Sequence, residues 1–303
     1  MVTPKILYKY RDVGENTEKI FLNKTIWLSK PSNLNDPFEC SISNFTEKAK
    51  NDLVRKRKLI QISGFFYWGT YFLERNRTFF GMSGKTLKSF LKKLRTKTNK
   101  RRYQLINEVM YNSSEMRLSK TNDIIKSLEE RLAEIGIFSL SETDTNQLMW
   151  AHYGGESRGV ALGFEVTDGS KLANEKYCIK VNYFDDLPKF DDEKLYAELR
   201  YTVGQERPQF IVPFDDPTFR ACVSTKPSDW EYEKEWRYID ETDGLHPFPG
   251  KLVEIVFGLR CSSETRNKYR ELVSKNFNYP IRFFEIVKKA NSNQIEKIEI
   301  RYK

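Results

Sequence analysis

The sequence predicts an α+β fold built on a mixed or antiparallel sheet. Strand-like runs gather at the two ends of the chain and helical periodicity fills its middle, without the steady strand–helix alternation of a doubly wound fold. The 303 residues are 39% hydrophobic and 31% charged, enough apolar chain for a packed core and unlike a disordered composition. The expectation is a single α+β domain over 1–303, carrying a basic helical insertion at 46–135.

Residues 6–10 alternate as a short strand, 17–22 suit a brief helix, and TIWLS at 25–29 is β-branched and aromatic enough for a second strand. Pro31 and Pro37 hold the loop that follows stiff, because each restricts the residue before it to extended geometry. In the middle of the chain Leu87, Phe90, Leu91 and Leu94 recur at helical spacing, as do Ile124, Ile125, Leu128, Leu132 and Ile135, with Gly136 as the expected stop. Strand character returns at 137–141. A helix over 145–153, capped by Asp144 or Thr145, should end at Gly154-Gly155. Strands follow at 160–166, 178–184, 236–239, 252–257, 281–287 and 295–302, with helices at 191–201 and 264–276.

Charge is distributed unevenly. The net +9 arises from residues 46–135, which hold 21 basic and 9 acidic side chains, while the rest of the chain holds 30 and 33. Nine basic residues and no acid lie between 85 and 102, so Lys88, Lys92, Lys93, Arg95, Arg101 and Arg102 could meet a nucleic acid or an acidic protein, or form a solvated helix face. Cys40, Cys178, Cys222 and Cys261 are too far apart for a structural zinc site and read as free, buried thiols. There is no secretory h-region and no apolar run of ~18 residues, so a cytoplasmic protein without membrane contact is expected. Nothing in the sequence sets the oligomeric state.

Three clusters could carry chemistry. The first runs from Lys226 to Arg237. If the chain is extended from Glu231, then Glu231, Glu233, Glu235 and Arg237 share a face at ~6–7 Å spacing. Carboxylates so placed repel unless a positive group faces them, which Arg237 supplies in part and a bound cation or a cationic transition state would complete. A surface hairpin with solvated charges explains the pattern equally well. In the second cluster, Trp150, His152 and Tyr153 precede the turn Gly154-Gly155. A histidine at a helix C-terminus is favoured as imidazolium, although a structural role is the commoner one. In the third, Asn35, Asp36 and Glu39 sit on the stiff loop, where they either serve the turn or position a ribose hydroxyl or a divalent ion. With Lys226, the carboxylates of Asp36, Glu39, Glu233 and Glu235 would suit a Mg²⁺ nuclease, the only reading that needs a metal. A second acidic patch, Asp185, Asp186, Asp192 and Lys194, also suits a loop and helix start.

LYKYR at 7–11, LSKPSNLNDPFE at 28–39, FSLSE at 138–142, LMWAHYGGESRGVALGF at 148–164 and SDWEYEKEWRYI at 228–239 resemble, in order and spacing, the bacterial proteins of domain of unknown function 2971. That resemblance implies variability in the basic segment between motifs and a stress or phage-defence role. A looser resemblance is to ADP-ribosyltransferases, with Arg11 on a first strand, Ser29 ending another and Glu233-Lys234-Glu235 later. It implies NAD as substrate, with Glu235 holding the ribose hydroxyl, Glu233 activating the acceptor and Arg11 contacting the pyrophosphate. Tyr10, Trp150, His152, Tyr153 and Arg237 would complete the pocket. The serine–threonine–serine triplet of those enzymes is not found in the expected form. The remaining alternative is a non-catalytic nucleic-acid-binding or sensing protein.

Overall fold

The computed structural model describes residues 4–36, 39–42, 45–184, 198–200, 206–207 and 209–300. The elements in chain order are β1 (Ile6–Arg11), α1 (Glu15–Asn23), β2 (Thr25–Leu28), α2 (Glu47–Glu74), α3 (Gly84–Arg95), α4 (Asn99–Ser114), α5 (Thr121–Glu134), β3 (Gly136–Ser141), α6 (Gln147–His152), β4 (Val160–Glu165), β5 (Cys178–Lys180), β6 (Asn182–Tyr183), β7 (Glu198–Arg200), β8 (Gln209–Ile211), α7 (Pro217–Val223), β9 (Thr225–Lys226), β10 (Glu235–Asp240), β11 (Gly244–Pro247), β12 (Lys251–Phe257), α8 (Ser263–Asn276), β13 (Arg282–Lys288) and β14 (Ile295–Glu299). The fold is α+β, as expected. The chain divides into two compact units, one formed by residues 1–40, 133–186 and 223–303, the other by 41–132 and 187–222.

The first unit is organised by an eight-stranded mixed sheet in the order β14-β13-β12-β4-β1-β3-β10-β5. Every neighbouring pair is antiparallel except β12–β13, whose parallel pairing requires a crossover that α8 provides. Helices α1 and α8 pack together, with Phe21 and Tyr269 edge to face at 5.3 Å. The main core joins them to one side of the sheet through Leu7, Leu140, Leu162, Phe164, Tyr238, Ile255 and Phe257. A second core of Tyr8, Tyr10, Met149, Trp150, Val256 and Ile286 joins α6 to the sheet. This division follows from the alternation in β1, which sends Leu7 one way and Tyr8 and Tyr10 the other. Gly159 lies where β4 meets the end of β1, and a Cβ there would run into the Arg11 carbonyl.

The second unit is mainly helical. Thr46 and Thr98 cap α2 and α4 by accepting from Ala49 N and Arg101 N, and Ser83 forms a capping box with Thr86 at the start of α3. Leu87, Leu91 and Leu94 of α3 are buried against Ile62 and Phe65 of α2 and Leu105 and Ile106 of α4. Arg57 and Asp216 form a buried ion pair at 2.6 Å, and the same aspartate accepts from Thr218 N and Phe219 N at the start of α7.

Several expectations need correction. α5 ends at Glu134, just before Gly136 as expected, but Gly136 opens β3 without the left-handed backbone of a C′ glycine, and the backbone of Thr242 and Asp243 crowds it too closely for any side chain. The cap of α6 is Asn146, whose Oδ1 accepts from Leu148 N and Met149 N, so neither Asp144 nor Thr145 serves. The strand expected over 178–184 breaks at Val181 into β5, which pairs with β10, and β6, which pairs in parallel with β9. Within the helix expected over 191–201, Glu198–Arg200 is strand β7 paired with β8, and the remainder lies outside the described residues. The acidic patch of Asp185, Asp186, Asp192 and Lys194 also lies outside them. All four cysteines are buried thiols outside any disulfide. Among the described residues, no helix is long and apolar enough to cross a membrane.

Candidate active site

The candidate site occupies an opening in the large sheet. β1 pairs with β4 along six residues but touches β3 at one position, Tyr8 opposite Ser141. The far end of the same β3 edge is held by Ser29, which exchanges two 2.8 Å backbone hydrogen bonds with Ile137. Between these attachments lies a cavity of about 200 Å³. Its wall includes Tyr8, Lys9 and Tyr10 of β1, Ser29, Asn33, Asn35 and Glu39 from the stiff loop region, and Ser139 and Ser141 of β3. Met149, Tyr153, Lys226, Glu233 and Glu235 complete it.

The carboxylates do not follow one extended strand. Ser228–Glu233 forms a 3₁₀ turn, Lys234 takes a left-handed conformation (φ 46°, ψ 52°), and β10 starts only at Glu235. The kink brings Glu233 and Glu235 to one point, and it leaves Glu231 off the cavity wall, contrary to the alternation expected from the sequence.

Two cations bind the cluster together. Lys226 Nζ donates to Glu233 at 2.6 Å and Glu235 at 3.3 Å, and it pairs with Glu39 at 2.8 Å. Arg237 donates from Nε to Glu235 at 3.0 Å, from Nη2 to Glu39 and Glu235, and from Nη1 to the Val223 carbonyl at 2.7 Å. All five side chains are buried. Burial opposes ionisation of Glu235, yet Arg237 and Lys226 overcome it and hold the carboxyl down to about 2. Glu39 moves the other way: burial, reinforced by Glu235, outweighs its cations and raises it above the usual carboxylate range. Glu233 also accepts from Tyr153 Oη at 2.6 Å, and Asn35 Nδ2 donates to that same oxygen at 3.2 Å. Glu235 is thus fixed as an anion while Glu39 binds a proton more readily than usual, so carboxylates of one cluster differ in ionisation.

The structure gathers Tyr10, Ser29, Asn35, Glu39, Tyr153, Glu233 and Glu235 around the cavity and sets Arg237 directly behind it. Four other candidates lie elsewhere. Arg11 faces a separate pocket with Asn16, Thr25, Trp27 and Leu245, its Nε buried without a hydrogen-bond partner among the described residues. Trp150 is core, 1% exposed, with Nε1 donating to the Asp144 carbonyl. His152 is exposed, its ring 6.2 Å from that of Tyr232. Asp36 is buried in the turn, where its carbonyl accepts from Glu39 N. Lys226 sits among the carboxylates where the nuclease reading requires a metal, and among the described residues no group of three or more His, Cys, Asp or Glu is arranged to hold one.

Sequence reasoning missed Lys9. Its amine crosses the opening and donates to the Ser139 carbonyl at 3.0 Å, above the Phe138 ring at 4.9 Å. Burial and the neighbouring Arg11 guanidinium lower it to about 8. The available signal was its place in LYKYR, which alternation alone could not separate from Arg11.

In the second unit Lys88, Lys92, Lys93 and Arg95 are exposed on α3 and form no ion pair among the described residues. Arg101 is exposed and donates to Gln104, whereas Arg102 closes the end of α3 by donating to the Leu94 and Arg95 carbonyls.

Residues 149–238 match the family model described as Protein of unknown function (DUF2971). The match takes in Tyr153, Lys226, Glu233, Glu235 and Arg237 and leaves Lys9, Ser29, Asn35 and Glu39 outside it. No curated protein and no solved structure matches the chain.

Proposed function

We propose that this chain, a DUF2971 protein over residues 149–238, cleaves the N-glycosidic bond of NAD and passes the ADP-ribosyl group to water or another acceptor in the cytoplasm. The observation that carries this reading is Glu235, held as an anion by Arg237 and Lys226 at a cavity rich in hydroxyl and amide groups. Sites that enclose a whole drug-sized ligand measure ~300–1,000 Å³. A cavity of about 200 Å³ takes one ring of a dinucleotide, and a ribose is the ring whose hydroxyls suit Asn35, Ser29 and the carboxylates.

As the C1′–N bond breaks, its electron pair leaves with nicotinamide and the ribose gains oxocarbenium character, which a preorganised anion stabilises. Glu235 holds a ribose hydroxyl and faces that charge. Glu233 accepts the proton of the attacking water or acceptor, while Tyr153 orients its carboxylate. Arg11 has no part in this scheme, since it opens on another pocket. NAD loss or a modified acceptor would suit a role in phage defence.

NAD labelled in nicotinamide and separately in ADP-ribose tests the reading. Wild-type protein with cell extract should release nicotinamide in the presence of EDTA. Glu235→Gln should slow release by about 10²–10³-fold, as loss of one transition-state electrostatic partner does. Absence of both release and labelled acceptor from folded wild-type protein overturns the proposal, and EDTA-sensitive cleavage of nucleic acid would replace it with the nuclease reading.

The exposed cations of α3 favour a nucleic-acid contact by the second unit, resting on phosphate neutralisation and not on base readout.

A further inference from the structure

We propose that Lys9 is a carbonyl-reactive amine that forms an imine with the open-chain aldehyde of a small sugar held in the cavity. The three cations at this site have different surroundings. Lys226 is shared by three glutamates and Arg237 by two, whereas Lys9 has no carboxylate within ion-pair distance among the described residues. Its one hydrogen bond among the described residues, to the Ser139 carbonyl, holds the amine across the opening of the cavity that Lys9 lines.

The charged groups acting on the amine are Arg11 of its own strand, Glu235 of β10 and Glu233 of the 3₁₀ turn, while β3 offers the Ser139 carbonyl and the Phe138 ring. Desolvation and an adjacent cation are the two conditions that make a lysine nucleophilic near neutral pH. They hold Lys9 at about 8, so a substantial neutral fraction exists where an ordinary lysine is almost fully protonated. Ser29, Asn35 and Glu233 supply hydrogen-bonding groups for the hydroxyls of a sugar.

In the step itself, the neutral amine attacks the carbonyl carbon and forms the C–N bond. The carbinolamine then loses its hydroxyl together with the proton lost by nitrogen, as one water. Amine and aldehyde become imine and water, with no redox change and no further reactant.

The test incubates full-length protein with D-ribose and sodium cyanoborohydride, which reduces the imine to a stable secondary amine, and then maps the adduct by peptide mass spectrometry. At pH 7, Lys9 should be modified at least about tenfold faster than the exposed lysines, given its larger neutral fraction. Its rate should be half-maximal near pH 8, and Lys9→Arg should lose this adduct with the other sites unchanged. Modification spread evenly over the exposed lysines, or a Lys9 rate still climbing at pH 10, overturns the proposal. The wild-type map decides even if the variant misfolds. Imine formation requires no NAD cleavage, so an unmodified Lys9 in a protein that releases nicotinamide rejects this inference alone.

Discussion

Lys9 and Lys226 line the same cavity, yet their surroundings drive them in opposite directions. Burial opposes the charge of both, but Glu235, Glu39 and Glu233 raise Lys226 above its ordinary value, whereas Lys9 falls from 10.5 to about 8. Lys226→Met would leave three buried glutamates with one cation fewer and should cost about 3–5 kcal/mol at pH 7. Lys9→Met should do the reverse and stabilise by about 1–3 kcal/mol at pH 7, because it removes a partly buried ammonium that has no acidic partner among the described residues. Between pH 8 and 10.5 the unfolded wild-type chain binds more protons at Lys9 than the folded one, so wild-type stability rises with pH. The advantage of Lys9→Met should therefore vanish by about pH 10–11. Urea unfolding at pH 7 and 10.5 checks both variants, and a pH-independent difference for Lys9→Met would show that its amine is not desolvated. Glu235 acts in the acid range. With its folded value near 2 against 4.5, its contribution is complete above 4.5 and is lost as pH falls from 4.5 to 2.

At the scale of elements, the site depends on places where regular structure stops. β1 and β3 part after one pair, the 3₁₀ turn and the left-handed Lys234 redirect the glutamates, and Gly159 lets β4 approach the end of β1. Gly159→Ala should prevent the first unit from folding, because its Cβ would meet backbone that cannot withdraw. Gly64→Ala in α2 meets nothing within 4 Å and should stabilise by about 0.5–1 kcal/mol through helix propensity. Thermal unfolding and soluble yield distinguish the two, and a folded Gly159→Ala protein would refute the close approach. The strands flanking the site were legible at 6–10, 25–29, 137–141 and 160–166, because apolar alternation and β-branched residues mark them within a few residues. The kink at Lys234 was not, since a left-handed lysine has no local signature and Glu-x-Glu looks the same on a strand as around a turn.

At the scale of the molecule, the positive charge and the carboxylate cavity belong to different units. Changing Lys88, Lys92, Lys93 and Arg95 together to Gln should weaken binding to a mixed-sequence duplex and lower the slope of log affinity against log salt by up to about 3–4, at ~0.9 per phosphate contact. An unchanged slope would identify that face as merely solvated. Arg102 belongs outside that set, because its loss would uncap α3. Composition, periodicity and motif order were sufficient for the α+β class, the basic helical stretch, the buried thiols and the two glutamates of the cavity, since these depend on residues close together in the chain. Tertiary structure decided that Lys9, Glu39, Lys226 and Arg237 join those glutamates, and that Arg11, Trp150 and His152 do not. The physical reason is that a buried charge cluster is selected by desolvation and by which cations reach it, and both depend on strands far apart in sequence meeting across one opening.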